Sequence, residues 1–174
     1  MATSGIEFQT LTLRDAFDLT ILIEEEAEER YEELADQMEV HHTPEAASFF
    51  HLMSSREAVH GSELRERRQR LFPSAGRTVS RAMLWDVKAP EYDQVHAFMT
   101  LREAMHTALA AEEKAEAFFE NAIRQVRDVE VRALFDELRD EEARVHEQLE
   151  RELAELPTER EGNDEAFADE PVAH

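Results

Sequence analysis

The stretch Ile21-Leu-Ile-Glu-Glu-Glu-Ala-Glu-Glu-Arg-Tyr31 decides the fold. A run of glutamates on a helix ordinarily forms a solvated face. Glu24 does not fit that pattern. Alternating steps of four and three select Leu13, Phe17, Thr20, Glu24, Ala27, Tyr31, Leu34 and Met38. These positions form one stripe, of the kind that packs into a helical bundle. All but two are apolar or aromatic, and one of the exceptions is an acid. An unpaired buried carboxylate costs several kcal/mol, so Glu24 either protonates or finds a cation.

The surrounding chain favours an all-α fold. Its 174 residues suit one domain with a sizeable core. With only four glycines and five prolines, and Ala, Glu, Leu and Arg dominant, the composition is that of long helices. No strand-like run is bounded by turn signals. The net charge of −22 argues against a nucleic-acid partner and against anionic membranes, and suits a protein that attracts cations. The absence of cysteine excludes disulfides, thiolate catalysis, iron–sulfur clusters and Cys-ligated metal. No apolar run approaches a membrane span. Met1 to Phe8 lacks the pattern of a signal peptide, so a cytoplasmic location is expected.

Four helices follow from the punctuation. The first begins near Thr12, where Thr12-Leu-Arg-Asp15 reads as a capping box, and runs to about Val40. The second runs from about Pro44, capped by Thr43, to Phe72, and Pro73 and Gly76 end it. Residues 73–92 form a connection long enough to cross the whole bundle, with Leu84 and Trp85 expected to pin it down. The third helix starts between Glu91 and Thr100 and ends near Arg127. The fourth runs from about Asp128 to Leu156. Residues 1–156 are thus expected to form the bundle, and 157–174 an acidic, disordered tail.

The two hairpins repeat. Leu11-Thr-Leu-Arg-Asp-Ala-Phe17 matches Met99-Thr-Leu-Arg-Glu-Ala-Met105, and in the same register Glu24, Ala27 and Tyr31 match Glu112, Ala115 and Phe119. Phe50, Met53 and Glu57 likewise match Phe135, Leu138 and Glu142. A duplicated hairpin joined by a crossover predicts a four-helix bundle with a pseudo-twofold axis.

Each core stripe is interrupted by acid near its middle: Glu24, Glu57, Glu112 and Glu142, with His60 on the same face as Glu57. Four carboxylates in a dry core repel one another, and two divalent cations would neutralise them. Oxygen ligands with an imidazole suit iron, with manganese also possible. A Glu from each of two helices with Glu-x-x-His from the other two is the di-iron pattern of ferritin-like bundles.

Glu24-x-x-Ala27-x-x-x-Tyr31, Glu57-x-x-His60 and Glu112-x-x-Ala115-x-x-x-Phe119 together resemble the rubrerythrin-like branch of the ferritin-like superfamily, over about residues 11–156. The resemblance implies Glu24 and Glu112 as terminal ligands, Glu57 and Glu142 as bridges, and His60 as a terminal imidazole of a two-iron centre. It also implies Fe(II) oxidation by dioxygen or hydrogen peroxide, or peroxide reduction with an external electron donor, in a homodimer or larger homo-oligomer. The chain departs from the pattern twice. Histidine is called for at 145, where Val145 stands with His146 one residue later, and a π-bulge would be needed to aim His146 as a ligand. There is also no cysteine-ligated rubredoxin domain.

Other groups have plainer readings. Tyr31 is a core aromatic that can donate to a ligand carboxylate. Glu28 and Glu116 read as a solvated face. Arg67 pairs with a buried acid or marks where its stripe reaches solvent. Were the four acids on the surface or protonated, the chain would be a metal-free helical dimerisation module.

Overall fold

A computed structural model describes residues 6–83, 87–91 and 95–158. The expected tail, apart from its first residues, and the residues Leu84 and Trp85 lie outside them. Four long helices carry the fold: α1 Leu13–Val40, α2 Pro44–Leu71, α3 Leu101–Gln125 and α4 Val129–Glu155. Among the described residues there are also short 3-10 turns at Phe8–Thr10 and Arg81–Met83.

The repeat in sequence is a repeat in capping. Thr12 accepts from the Asp15 N–H at 3.2 Å while Asp15 accepts from the Thr12 N–H at 3.1 Å. Thr100 and Glu103 form the same reciprocal box at the start of α3. Each box satisfies two amide donors that a helix start leaves unpaired. Asp128 caps α4 by accepting from the N–H groups of Glu130 and Val131. Thr43 does not cap α2. Its hydroxyl turns back to donate to Met38 O at 3.0 Å, and Pro44 starts the helix without needing an N–H acceptor.

α1 packs along α2 and α3 along α4, with smaller contacts between α2 and α3 and between α1 and α4. The core falls into two apolar clusters. One contains Phe17, Ile21, Leu64, Phe119, Phe135 and Leu138. The other contains Tyr31, Met38, Phe50, Met53, Met105 and Val145. Along every helix the expected acid lies between the two clusters. α1 and α4 therefore run one way, and α2 and α3 the other. The crossover must then travel the length of the bundle. It leaves the first cluster, where Phe72, Val79 and Val87 pack, and reaches the second at Val95 and Met99.

The stripe of α2 surfaces near its end. Leu71 is exposed, and Arg67 lies over the Phe17 ring while its guanidinium pairs with exposed Glu137 at 2.8 Å.

At the crossover start, Arg68 binds the buried Asp18 carboxylate through Nε at 2.5 Å and donates to the carbonyls of Ala75 and Gly76. Thr78 N–H donates to the other Asp18 oxygen at 2.9 Å. One ion pair thereby fixes the end of α2 and the following loop against α1.

Candidate metal centre

The helical register brings Glu24, Glu57, Glu112 and Glu142 to one level of the bundle, each at most 1% exposed. His60 lies a turn beyond Glu57, with its Nδ1 3.9 Å from Glu57 Oε2. Its Nε2 is 3.0 Å from Glu141. Glu24, Glu57 and His60 each offer a ligand atom within 4.8 Å of the others. Five of the six expected groups are therefore gathered. His146 is not drawn into the cluster: its Nε2 faces Glu113 Oε1 at 3.3 Å and Glu150 at 3.7 Å, with no well-directed hydrogen bond. α4 is a regular α-helix throughout, so no π-bulge re-aims it, and Val145 packs in the apolar core instead.

The centre also holds a group that the periodic pattern did not reveal. Lys88, 1% exposed, projects its ammonium among the acids. Its Nζ donates to Glu57 Oε2 at 2.7 Å, Glu142 Oε1 at 2.9 Å and Glu24 Oε2 at 3.1 Å. Lys88 belongs to the non-helical segment 87–91, which lies between α1 and α3. Arg30 of α1 donates to Pro90 O at 2.8 Å, and Lys114 of α3 donates to Ala89 O at 2.6 Å. The signal available in sequence was a lone lysine two residues before Pro90 in an otherwise apolar Val-Lys-Ala-Pro run.

The electrostatics follow from burial. Burial favours the neutral form of Lys88, but Glu142, Glu24, Glu57 and Glu112 outweigh it and raise its pKa well above the ordinary lysine value. Burial pushes Glu24 well above the usual carboxylate range against the opposing pull of Lys88, and Glu57 adds to the rise. Burial raises Glu112 in the same way, against Lys88 and with help from Glu142. Glu57 is also penalised by burial, yet the charge of Lys88 and the hydrogen bonds from Glu24 and Lys88 bring it below its ordinary value. Burial, and then Glu112 and Glu57, raise the Tyr31 hydroxyl. That hydroxyl has no hydrogen-bond partner, so the expected donation to a carboxylate is not made.

Several buried polar atoms remain unsatisfied: the acceptors Glu57 Oε1, Glu142 Oε2 and both oxygens of Glu112, and the ring nitrogen His60 Nδ1. Orphaned buried acceptors of this kind are rare and costly. Two arrangements would satisfy Glu112. It can hold a proton and share it with Glu142, or it can bind a cation. Carboxylate oxygens with one imidazole form a donor set that fits a divalent metal such as iron or manganese. Glu28 and Glu116 are half-buried one turn away and take no part in the hydrogen-bonded cluster.

The rubrerythrin family model matches residues 15–154. The chain is also similar to an uncharacterized conserved protein from Magnetospirillum magnetotacticum, known from a crystal structure. The two are 28% identical with a TM-score of 0.65, over 84% of this chain and 97% of that one. Among curated proteins no relative matches.

Proposed function

The chain belongs to the rubrerythrin family, and on that premise we propose that it binds iron in the buried carboxylate cluster and oxidises Fe(II) with dioxygen or peroxide. Family membership itself suggests a di-iron carboxylate protein. The observation that carries the finer reading is Glu112. It is fully buried at the level of three other acids, and no donor reaches either of its oxygens. Glu112, Glu57 Oε1 and Glu142 Oε2 present oxygens that no donor reaches, and His60 brings an imidazole to the cluster beside Glu24 and Glu57. Fe(II) is the substrate, and each ion gives one electron to the oxidant.

The residues of the chain favour that outcome in two ways. Carboxylates attract Fe(III) more strongly than Fe(II), since the same anions act on a larger charge. The apolar layers on either side, with Phe119 and Phe135 on one and Tyr31 and Met53 on the other, exclude bulk water and strengthen those interactions. Manganese would be accepted by the same ligands.

The test is anaerobic titration of the apo-protein with Fe(II), followed by admission of air or peroxide. Near-ultraviolet absorption should rise on oxidation and be lost in Glu57→Ala and Glu112→Ala. Failure of the wild type to bind Fe(II), or binding undiminished in Glu57→Ala, overturns the reading. Reaction with peroxide alone would assign peroxide as the oxidant.

A second reading has its own observation. Lys88 already pairs with one oxygen of each of three carboxylates, and protons on Glu24 and Glu112 would settle most of the remaining charge. A metal-free helical module is consistent with that arrangement. The same titration separates the two.

A further inference from the structure

We propose that the ammonium of Lys88 is a built-in cation that occupies one of the two metal positions of the centre, so that the chain as folded takes one metal ion fewer than its carboxylates could hold. This inference rests on reading the cluster as a metal centre.

Lys88 contacts a particular subset of the acids. Its Nζ bonds Glu24 and one oxygen each of Glu57 and Glu142. Under the family pattern, a terminal Glu24 with bridging Glu57 and Glu142 is the oxygen set of a single metal position. The oxygens left over are Glu57 Oε1, Glu142 Oε2 and both of Glu112. These make the complementary set: the other side of each bridge, and the other terminal acid. The ammonium fills one half of the centre, and the orphaned oxygens make up the other.

The lysine is held in place from outside. The backbone carbonyls on its C-terminal side accept from Arg30 and Lys114, on the two helices it enters between. Lys88, Ala89 and Pro90 are all buried, and Val87 packs in the apolar core. Withdrawing the ammonium would break its three hydrogen bonds and disturb this clamp, leaving three carboxylates without their cation. Charge points the same way. With four ionised carboxylates, an ammonium and one divalent ion leave one net negative charge, whereas a second divalent ion would leave a net positive charge in the same dry core and add strong repulsion beside the ammonium.

The missing imidazole on α4 fits this arrangement. With His146 turned to Glu113, the open position is lined by carboxylate oxygens, which suits a hard ion such as Mn(II) or Fe(II).

The experiment counts metals and does not depend on turnover. Full-length wild type and Lys88→Met are stripped with chelator, loaded anaerobically with Mn(II), and examined by native mass spectrometry and electron paramagnetic resonance. The expected result is one Mn(II) per wild-type chain with an uncoupled signal, and two per Lys88→Met chain with a spin-coupled signal. If the apo variant does not fold, it is expressed and purified with Mn(II) present and counted in that form, while the wild-type count stands by itself. Two coupled ions on the wild type overturn the inference and leave the proposed metal function intact. No ion on the wild type but uptake by Lys88→Met supports exclusion by Lys88 and overturns the proposed function. No uptake by either overturns both.

Discussion

Lys88 Nζ lies 2.7 Å from Glu57 Oε2, although the two residues are 31 positions apart in the chain. Neither group is exposed, and each is the other's shortest contact in the carboxylate layer. The consequence is a metal-family centre that carries its own cation. Its behaviour without metal should depend on that lysine.

Stability of the apo-protein is the first consequence. Removing one partner of a buried ion group strands the others, typically at about 3–5 kcal/mol. Lys88→Met should lower the unfolding free energy of the apo-protein by an amount of that order, and its melting temperature with it, measured by urea and thermal unfolding followed by circular dichroism. Mn(II) should recover more stability in the variant than in the wild type. Identical apo melting curves would mean that the ammonium contributes nothing to the centre.

Proton release should accompany metal uptake. Glu24 and Glu112 have folded pKa values raised well above the ordinary 4.5, by burial first. A raised acid favours the folded state below its unfolded value, and that contribution is lost as pH rises through the folded value. Apo stability should therefore fall as pH rises through that raised range. A cation displaces these protons, so affinity should increase with pH over the same range. Mn(II) titration with a pH indicator checks this, and uptake without acidification would contradict it.

His60 and Glu141 should show a bounded pH window in the apo-protein. Burial lowers His60, but the hydrogen bond and charge of Glu141 prevail and raise it above 6.5, while His60 holds Glu141 below 4.5. The raised histidine stabilises fully below 6.5 and stops as pH climbs through its folded value. The depressed acid stabilises above 4.5 and stops as pH falls through its folded value. A double-mutant cycle of His60→Ala and Glu141→Ala should give its largest coupling between about pH 4.5 and 6.5. Coupling that grows in alkaline solution would reverse the assignment.

The two histidines should differ in metal binding. His60 lies within ligand reach of Glu24 and Glu57, whereas His146 faces Glu113. In the Lys88→Met background, where the position beside Glu24 and Glu57 is open, His60→Ala should weaken Mn(II) binding by about tenfold or more, the scale of losing a group that shapes a metal site. His146→Ala should leave it nearly unchanged, as judged by calorimetry. Equal losses would place His146 on the metal after all.

The Asp18–Arg68 pair should matter to the fold and not to the metal. Arg68→Ala leaves Asp18 buried with only Thr78 to donate, and frees the carbonyls of Ala75 and Gly76. The loss should be about 3–5 kcal/mol in urea unfolding. Metal stoichiometry of the folded fraction should not change.

What was readable in the chain was whatever repeats with the helix. The boundaries at Thr12 and Thr100, the hairpin duplication, and the burial of Glu24, Glu57, Glu112 and Glu142 all follow from local capping and a period of 3.6. The one-residue shift at His146 was visible, since it turns a side chain by about 100°, but His146 was still expected as a ligand through a π-bulge, and only the structure showed α4 to be regular there.

Lys88 was not readable, for a definite reason. Periodicity assigns a face only inside a regular element, and Lys88 sits in a connection without one. Its level in the bundle depends on how the crossover climbs from one apolar cluster to the other. Its direction depends on the clamp from Arg30 and Lys114 on two helices far apart in sequence. The sequence by itself determined that four acids must share a dry core and need positive charge there. Tertiary structure alone decided that part of this charge comes from the chain's own lysine, because only packing brings a non-periodic side chain to the place where the four helices meet.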